Sequence, residues 1–319
     1  MIEKTYTSSH CEKHLTRSQE KSRFDEAIKQ SFLAGSPAFN NTIYSNTSDY
    51  CGLNQKNETD PHYFMDREKV WGRVGDSIQK EVRYGKCNEH DSGKFFSVAS
   101  SCRFAVASFS ELINDKLEKV KSIGGIHIKS LQFEKRCKVK NVRGAAPQLD
   151  VYFETDDNTH YFFEVKCHEI FDTSNHSTVE LSTAYLGVMK ELLGIDANAN
   201  KWETKGGKII GKDSKPLSPE DFGLPESKHH FDFKQFLCHL MGILSSEQYK
   251  NGQHINFFYL FYKAGHCPEV YEELEAEMEN IANRFSKILG DKITFGCIYN
   301  TKFDTLTSIT PYRIFNEQK

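Results

Sequence analysis

The sequence predicts an α/β protein in which a helix, three strands, a second helix and a further strand follow one another along the chain. Two observations carry this prediction. Segments rich in β-branched and aromatic residues lie on either side of turn-forming residues at 156–158, as expected for a hairpin. Apolar residues at helical spacing lie before and after that hairpin.

Each element of this order has its own sequence signal. The upstream helix is expected within residues 95–120, before a pair of glycines at 124–125, and a strand is expected at residues 128–140. An apolar stripe predicts a helix from Phe233 to Leu244, and residues 255–262 are typical of a largely buried strand. A helix beginning near Pro268 and a strand at residues 293–299 complete the prediction.

The hairpin places charged residues within otherwise apolar strands. If its turn is centred on Asp157, residues whose numbers sum to 314 face each other, so that Asp150 lies opposite Glu164. Because side chains alternate along a strand, Asp150, Glu164 and Lys166 share one face. Opposed like charges destabilise a strand pair by up to about 1 kcal/mol, so a cation between them is expected. Mg²⁺ fits, since one or two carboxylates bind it together with waters and a substrate phosphate, and phosphodiester hydrolysis is the chemistry suggested.

The spacing of these residues resembles a known signature. Asp150, followed after thirteen residues by Glu164-Val165-Lys166, is similar to the motif of the PD-(D/E)xK nuclease superfamily, which has the restriction-endonuclease-like fold. Pro147 precedes Asp150 by three positions rather than one, but the proline of the superfamily is dispensable. The resemblance covers roughly residues 81–300 and implies an αβββαβ core with a mixed central sheet flanked by helices. Residues 85–89, 99–101 and 233–235, together with His239, are similar to segments of an uncharacterised bacterial branch of the superfamily.

The resemblance also implies roles for these residues. Asp150 and Glu164 would ligate Mg²⁺, for which Mn²⁺ can substitute, and Lys166 would assist the attacking water. The superfamily often adds an acid before the first core strand, and here Glu89 is preferred over the alternative Glu111.

Three further positions are candidates beside the motif. Gln235 joins the catalytic set because the matched segment includes it. Glu169, three residues after the motif lysine, could reach the outer shell of the metal, and a solvated side chain at a strand end is the alternative. Gln148 shares the face of Asp150 and could touch a phosphate or a metal-bound water.

A polar stripe runs along the predicted helix at 233–244 and its start. Asp232, Gln235 and His239 follow one another at spacings of three and four, which places them on one side of the helix. Two interpretations remain open, a solvated face and a face turned towards the active site.

The charge distribution is uneven although the net charge of the chain is only −3. Residues 115–143 contain nine Lys or Arg against three acidic residues. This stretch precedes the hairpin and is expected either to contact a nucleic-acid backbone or to be a solvated surface. The glutamate-rich face of the helix that begins near Pro268 is expected to be exposed and turned away from DNA.

Several classes of protein are disfavoured by composition. No run of about 18 apolar residues suggests a membrane span, and the N-terminus lacks the apolar core of a signal peptide, so a soluble, cytoplasmic protein is expected. The nine cysteines form no C-x-x-C pair, which argues against a disulfide framework and a Cys-rich zinc site. No P-loop, G-x-G-x-x-G or H-E-x-x-H occurs, and the pair His229-His230 is expected in an exposed loop.

These observations lead to a domain prediction and to three functional interpretations. Residues 1–62 are expected to form an N-terminal extension, and residues 63–319 a nuclease-like domain with a loop or small hairpin inserted at 198–228. The preferred interpretation is a Mg²⁺-dependent nuclease, with DNA as its partner and a homodimer allowed, since many nucleases of this fold dimerise to cut both strands. The alternatives are a catalytically silent module that binds nucleic acid or a protein, and a hairpin salt bridge worth about 0 to 1 kcal/mol.

Overall fold

The computed structural model describes most of the chain after residue 100. The described residues are 16, 19, 22–23, 43–44, 64–65, 71, 74, 76–84, 95, 100–109, 122–123, 126–144, 146–263, 268–300 and 313–314. The predicted N-terminal extension lies almost wholly outside them.

Twelve strands occur in the described part of the chain. They are β1 (Ile43–Tyr44), β2 (Phe64–Met65), β3 (Ser122–Ile123), β4 (Ile126–Arg136), β5 (Gln148–Thr155), β6 (His160–Lys166), β7 (Leu181–Ser182), β8 (Glu203–Lys205), β9 (Lys208–Ile210), β10 (Ile255–Tyr262), β11 (Ile293–Asn300) and β12 (Arg313–Ile314).

Seven α-helices accompany these strands within the described residues. They are α1 (Asp76–Tyr84), α2 (Ser101–Phe109), α3 (Thr173–His176), α4 (Leu186–Leu193), α5 (Phe233–Leu244), α6 (Glu247–Lys250) and α7 (Pro268–Leu289). Short 3₁₀ helices lie at His168–Phe171, Thr183–Tyr185, Lys212–Ser214, Pro219–Phe222 and Gly290–Lys292.

The central sheet is mixed, with five long strands and a two-residue strand at each edge. Its order is β12-β11-β10-β6-β5-β4-β3. Strands β4, β5 and β6 are antiparallel neighbours, because short connections join them, whereas β6, β10 and β11 run parallel. Helices on both faces explain why every residue of β10 is buried. The prediction of an α/β protein with a mixed central sheet is therefore confirmed.

Aromatic contacts show which helix covers which face of the sheet. Phe236 of α5 stacks on Phe257 of β10 and contacts Phe285 of α7. On the opposite face, Phe109 of α2 contacts Phe163 of β6. The strand β6 thus turns its even-numbered residues, including Glu164 and Lys166, towards α5.

A close approach between α5 and the chain after β4 fixes the position of this helix. At Gly242, an added Cβ would lie 2.5 Å from the carbonyl oxygen of Cys137, a distance that real Cβ atoms do not reach. Glycine is therefore the residue that lets α5 pack this near to the sheet.

The predicted register of the β5–β6 hairpin is confirmed. Val151 faces Phe163, Tyr152 faces Phe162 and Glu154 faces His160, all of which sum to 314. The predicted boundaries of α5 and β10 also match, and β4 begins and ends a little earlier than predicted. The insertion at 198–228 contains the small hairpin of β8 and β9, whose outer partner is β7. None of the helices in the described ranges has the length and apolar character needed to cross a membrane.

Candidate active site

The candidate site lies where β5 and β6 separate. Their backbone ladder stops at Val151 and Phe163. Beyond that point, the side chain of Asp150 takes over: its Oδ2 accepts a hydrogen bond of 2.7 Å from the backbone N–H of Val165. This hydrogen bond, which the sequence did not predict, fixes the Asp150 carboxyl group between the two strands.

Lys166 is the centre of a closed set of hydrogen bonds. Its Nζ donates to Glu164 Oε1 at 2.8 Å and to Gln235 Oε1 at 2.7 Å. Gln235 Nε2 in turn donates to Glu164 Oε1 at 2.9 Å. Gln235 is held at the first turn of α5, where Asp232 accepts from its backbone N–H. The ammonium group of Lys166 therefore has a fixed orientation.

Burial and neighbouring charges shift the pKa values of both Asp150 and Lys166. Burial raises the pKa of Asp150 well above its usual value, and the neighbouring carboxylates of Glu164 and Glu134 raise it further. Burial lowers the pKa of Lys166, but Glu164, Glu169 and Asp150 more than offset this and raise it overall. The lysine stays a cation, whereas the anionic form of Asp150 needs a further positive charge nearby.

Three polar atoms beside Lys166 lack hydrogen-bond partners among the described residues. They are Glu164 Oε2, His239 Nδ1 and the hydroxyl of Tyr259. The first two lie 3.4 Å apart without forming a hydrogen bond, and burial lowers the pKa of His239, which favours its neutral form. Tyr259 faces Glu164 in the parallel register of β6 and β10. Because unpartnered buried polar groups are costly, their concentration here indicates a place for a ligand. We call Asp150, Glu164, Lys166, Gln235 and His239 the lysine network.

The structure adds Glu134, which the sequence reasoning missed. It lies in β4 opposite Asp150, between the pairs Phe133–Val151 and Lys135–Leu149, with a φ of +54°. Its Oε2 accepts a hydrogen bond from Gln148, so that Gln148 orients this acid. In the sequence, Glu134 lies within a basic stretch, and only the pairing register of β4 with β5 places it opposite Asp150.

A cavity of about 370 Å³ opens beside Lys166 and Gln235. We call it the side cavity, and its lining includes Glu169, Asp172, His176 and Tyr259. Glu169 Oε2 accepts from the backbone N–H of Cys167 at 2.7 Å. Burial raises the pKa of Glu169, but Lys166 and His168 more than offset this and lower it overall, so it is an anion.

Two residues of the polar stripe on α5 face the candidate site. Gln235 contacts Lys166 and Glu164, and His239 is buried against Glu164. The solvated-face interpretation is therefore wrong for these two residues. The candidate acids Glu89 and Glu111 lie outside the described residues.

The prediction of an exposed loop at His229-His230 is wrong, because both side chains are buried. His229 Nε2 lies 2.9 Å from Glu220 Oε1, and His230 Nε2 lies 2.7 Å from Glu273 Oε2. Glu277 lies 3.4 Å from His229 Nδ1 and accepts from Ser227 and from the backbone N–H of Phe231. We call His229, His230, Glu220, Glu273 and Glu277 the histidine clamp. It ties the segment before α5 to α7, whose glutamate face is thus partly buried rather than wholly exposed.

The candidate site has few side chains that could bind a metal ion. Within the described ranges, no three His, Cys, Asp or Glu side chains are grouped so as to hold a metal ion. The lysine network offers two carboxylates, those of Asp150 and Glu164.

Comparisons with protein-family models, with curated proteins and with solved structures found no match to this chain.

Proposed function

We propose that this protein is a divalent-metal-dependent nuclease that hydrolyses phosphodiester bonds, in DNA, with a metal-activated water. The observation that carries the proposal is the fixed ammonium group of Lys166, held by Glu164 and Gln235 beside the buried carboxyl group of Asp150. The order α2, β4, β5, β6, α5, β10 and the mixed sheet support it, because a restriction-endonuclease-like core has this order.

The side chains present suit a hard divalent cation. Asp150 and Glu164 supply carboxylate oxygens, and Glu164 Oε2 has no partner among the described residues. Burial raises the pKa of Asp150, so a bound cation would favour its ionised form. Mg²⁺ needs only one or two carboxylates beside waters and phosphate, so the lack of a described three-residue cluster is compatible with it. When bound, the metal supplies Lewis acidity and lowers the pKa of its water.

Lys166 acts in this proposal as a hydrogen-bond donor and a fixed positive charge. The raised pKa of Lys166 keeps its ammonium protonated, so it orients the attacking water and stabilises charge that develops on the phosphate. Gln235 keeps the ammonium in place, and neighbouring Glu169 helps to keep it charged.

Exposed cations beside the site suit a nucleic-acid backbone. Arg136 of β4 is exposed, as are Lys138 and Arg143 in the segment that leads to β5. Such side chains contribute to affinity by contacting phosphates, independently of base sequence.

A catalytically silent module that binds nucleic acid or a protein partner is the second candidate function. Two observations favour it: the described residues hold no three-residue metal cluster, and the raised pKa of Asp150 favours the neutral acid in the absence of a cation.

The test compares the wild type with Asp150→Asn on labelled duplex DNA, single-stranded DNA and RNA, with Mg²⁺ or Mn²⁺. Asparagine can still accept the hydrogen bond from Val165, so the variant should fold while losing a ligand charge. We expect metal-dependent cutting by the wild type and a loss of about 10²-fold or more in the variant. Equal cutting by both would contradict the mechanism, and binding without cutting by either would favour the silent module.

A further inference from the structure

We propose that residues 201–215, which we call the basic arm, form a surface that holds the phosphate backbone of DNA beside the candidate active site. The basic arm comprises β8, β9 and the 3₁₀ helix Lys212–Ser214 that follows them. The inference rests on the proposed function for the identity of the partner and adds a second contact surface to it.

The basic arm is positively charged, although the chain as a whole carries a net charge of −3. It contains five lysines, at positions 201, 205, 208, 212 and 215, against Glu203 and Asp213, a local net charge of +3. All five lysines are exposed. Among the side chains that the structure describes, only Lys208 of these five has an ion-pair partner, which is Glu180. The other four ammonium groups therefore have no described carboxylate to neutralise them.

The hairpin places two of these lysines directly opposite each other. Lys205 pairs with Lys208 in the register of β8 and β9, and like charges at opposed positions destabilise a strand pair. Glu180 lies 2.7 Å from the Nζ of Lys208 and offsets its charge, whereas the Nζ of Lys205 lies 3.5 Å from the neutral hydroxyl of Ser214. An anion from outside the hairpin would therefore stabilise it, and the phosphates of DNA supply such anions at regular spacing.

The inner face of the basic arm fixes its position on the protein. Ile209 is buried and faces Leu181 of β7, and the backbone N–H of Val179 donates to the carbonyl oxygen of buried Leu217 at 2.7 Å. The turn Gly206-Gly207 has φ values of +57° and +78°, as in the type I′ turn that closes a two-residue hairpin. Because side chains alternate along a strand, the lysines of β8 and β9 point away from the buried face. They extend from a fixed scaffold.

The basic arm adjoins the side cavity beside the lysine network. Glu180, the partner of Lys208, lines the side cavity together with Lys166, Lys234 and Gln235. The hydrogen bond from Lys208 lowers the pKa of Glu180, and the charge of Lys234 lowers it further, so these three groups lie close together. A strand whose phosphates contact the basic arm therefore passes the side cavity on its way to Lys166. Such contacts position a nucleic acid without reading its sequence.

Lysine footprinting tests this contact in the wild-type protein. The full chain is acetylated in EDTA with and without a DNA duplex, and the modified lysines are identified by mass spectrometry. We expect DNA to protect Lys205, Lys212 and Lys215 and to leave Lys250 and Lys292 as reactive as in the free protein. The last two lie beside Tyr249, beyond the end of α5 that is far from Gln235. Equal reactivity of the three arm lysines with and without DNA would overturn the inference.

The triple variant Lys205→Gln, Lys212→Gln and Lys215→Gln removes three charges and keeps the buried anchors of the arm. Fluorescence anisotropy of a fluorescein-labelled duplex at several salt concentrations measures the effect. Each lost phosphate contact lowers the slope of log K against log salt by about 0.9, so the slope should fall by about 2 or more.

The matched control replaces three exposed lysines elsewhere by glutamine, namely Lys250, Lys287 and Lys292. It changes the net charge by the same amount and should keep the slope. An unchanged slope in the arm variant, or the same loss in the control, would overturn the inference. Competition by polyglutamate as strong as that by DNA would make the partner an acidic protein and would also overturn it.

Cleavage in Mg²⁺ separates this inference from the proposed function. The arm lysines do not touch the reacting atoms, so the arm variant should raise KM by about tenfold and change kcat by less than about twofold. Protection of the arm lysines without any cutting by the wild type would remove the nuclease and leave the DNA contact. Cutting by the arm variant with an unchanged KM would overturn the DNA contact and leave the nuclease.

Discussion

The lysine network and the histidine clamp are two buried polar clusters that both adjoin α5, and they differ in how completely their groups are paired. In the clamp, both nitrogens of His230 have acceptors, and both oxygens of Glu277 have donors. In the network, Glu164 Oε2 and His239 Nδ1 have no hydrogen-bond partner in the described part of the chain. Fully paired buried groups add rigidity, whereas unpaired ones carry a cost that a ligand can relieve.

The difference suggests a division of tasks. The clamp joins parts of the chain that are far apart in sequence, since His230 reaches the carbonyl of Ile170 after β6 and Glu273 on α7. It thereby holds the start of α5, from which Gln235 reaches Lys166. We therefore interpret the clamp as a support and, under the proposed function, the network as the part that takes part in the chemistry.

The largest expected effect is on the network, from Lys166→Ala. In the proposed mechanism, loss of the ammonium removes the donor that orients the water, so cleavage should fall by about 10²–10³-fold. Rates on the preferred substrate measure the effect, and a thermal unfolding curve shows whether the variant folds. Lys129→Ala, which removes an exposed lysine paired with Glu154 on the same sheet, is the control and should keep most of the activity. Full activity of Lys166→Ala would show that the network is only a support, like the clamp.

The next effect is on the clamp, from Glu277→Ala. The change leaves Ser227 and the N–H of Phe231 without their acceptor, so the free energy of unfolding should fall by about 3 kcal/mol. Urea unfolding at neutral pH measures this, with Glu272→Ala at an exposed position of α7 as control. Cleavage per folded molecule should change little, and a large loss of activity with unchanged stability would reverse the assignment of the two clusters.

The smallest effect concerns Glu169, at the border of the network and the side cavity. The pKa of Glu169 is lowered in the folded protein, so its charge adds stability above the unfolded pKa of about 4.3, and this is lost as the pH falls through the folded value. Glu169→Gln should therefore cost about 1 kcal/mol at pH 7, and this cost should shrink as the pH falls below the unfolded pKa. Urea unfolding from pH 3 to 7 measures the difference, with exposed Glu203→Gln as control. A difference of the same size at every pH in this range would mean that packing, not charge, is responsible.

Sequence reasoning reached the features that local rules determine. The turn at Asp157 set the register, and the register placed Asp150, Glu164 and Lys166 together. The position of Glu134 beside Asp150 was not predicted, because it depends on the pairing of β4 with β5 and on a positive φ that no local sequence pattern indicates. The burial of His229-His230 escaped because their partners, Glu277 for His229 and Glu273 for His230, lie more than forty residues further along the chain.

Gly242 has a consequence for how this protein tolerates change. It lies seven residues after Gln235, two turns along the same side of α5. Any larger side chain at this position would move the helix away from the backbone of Cys137. Because Gln235 lies on the same helix, this movement would separate it from Lys166. The orientation of the proposed catalytic lysine thus depends on Gly242, a residue that takes no part in the proposed reaction. It depends on this residue having no Cβ atom.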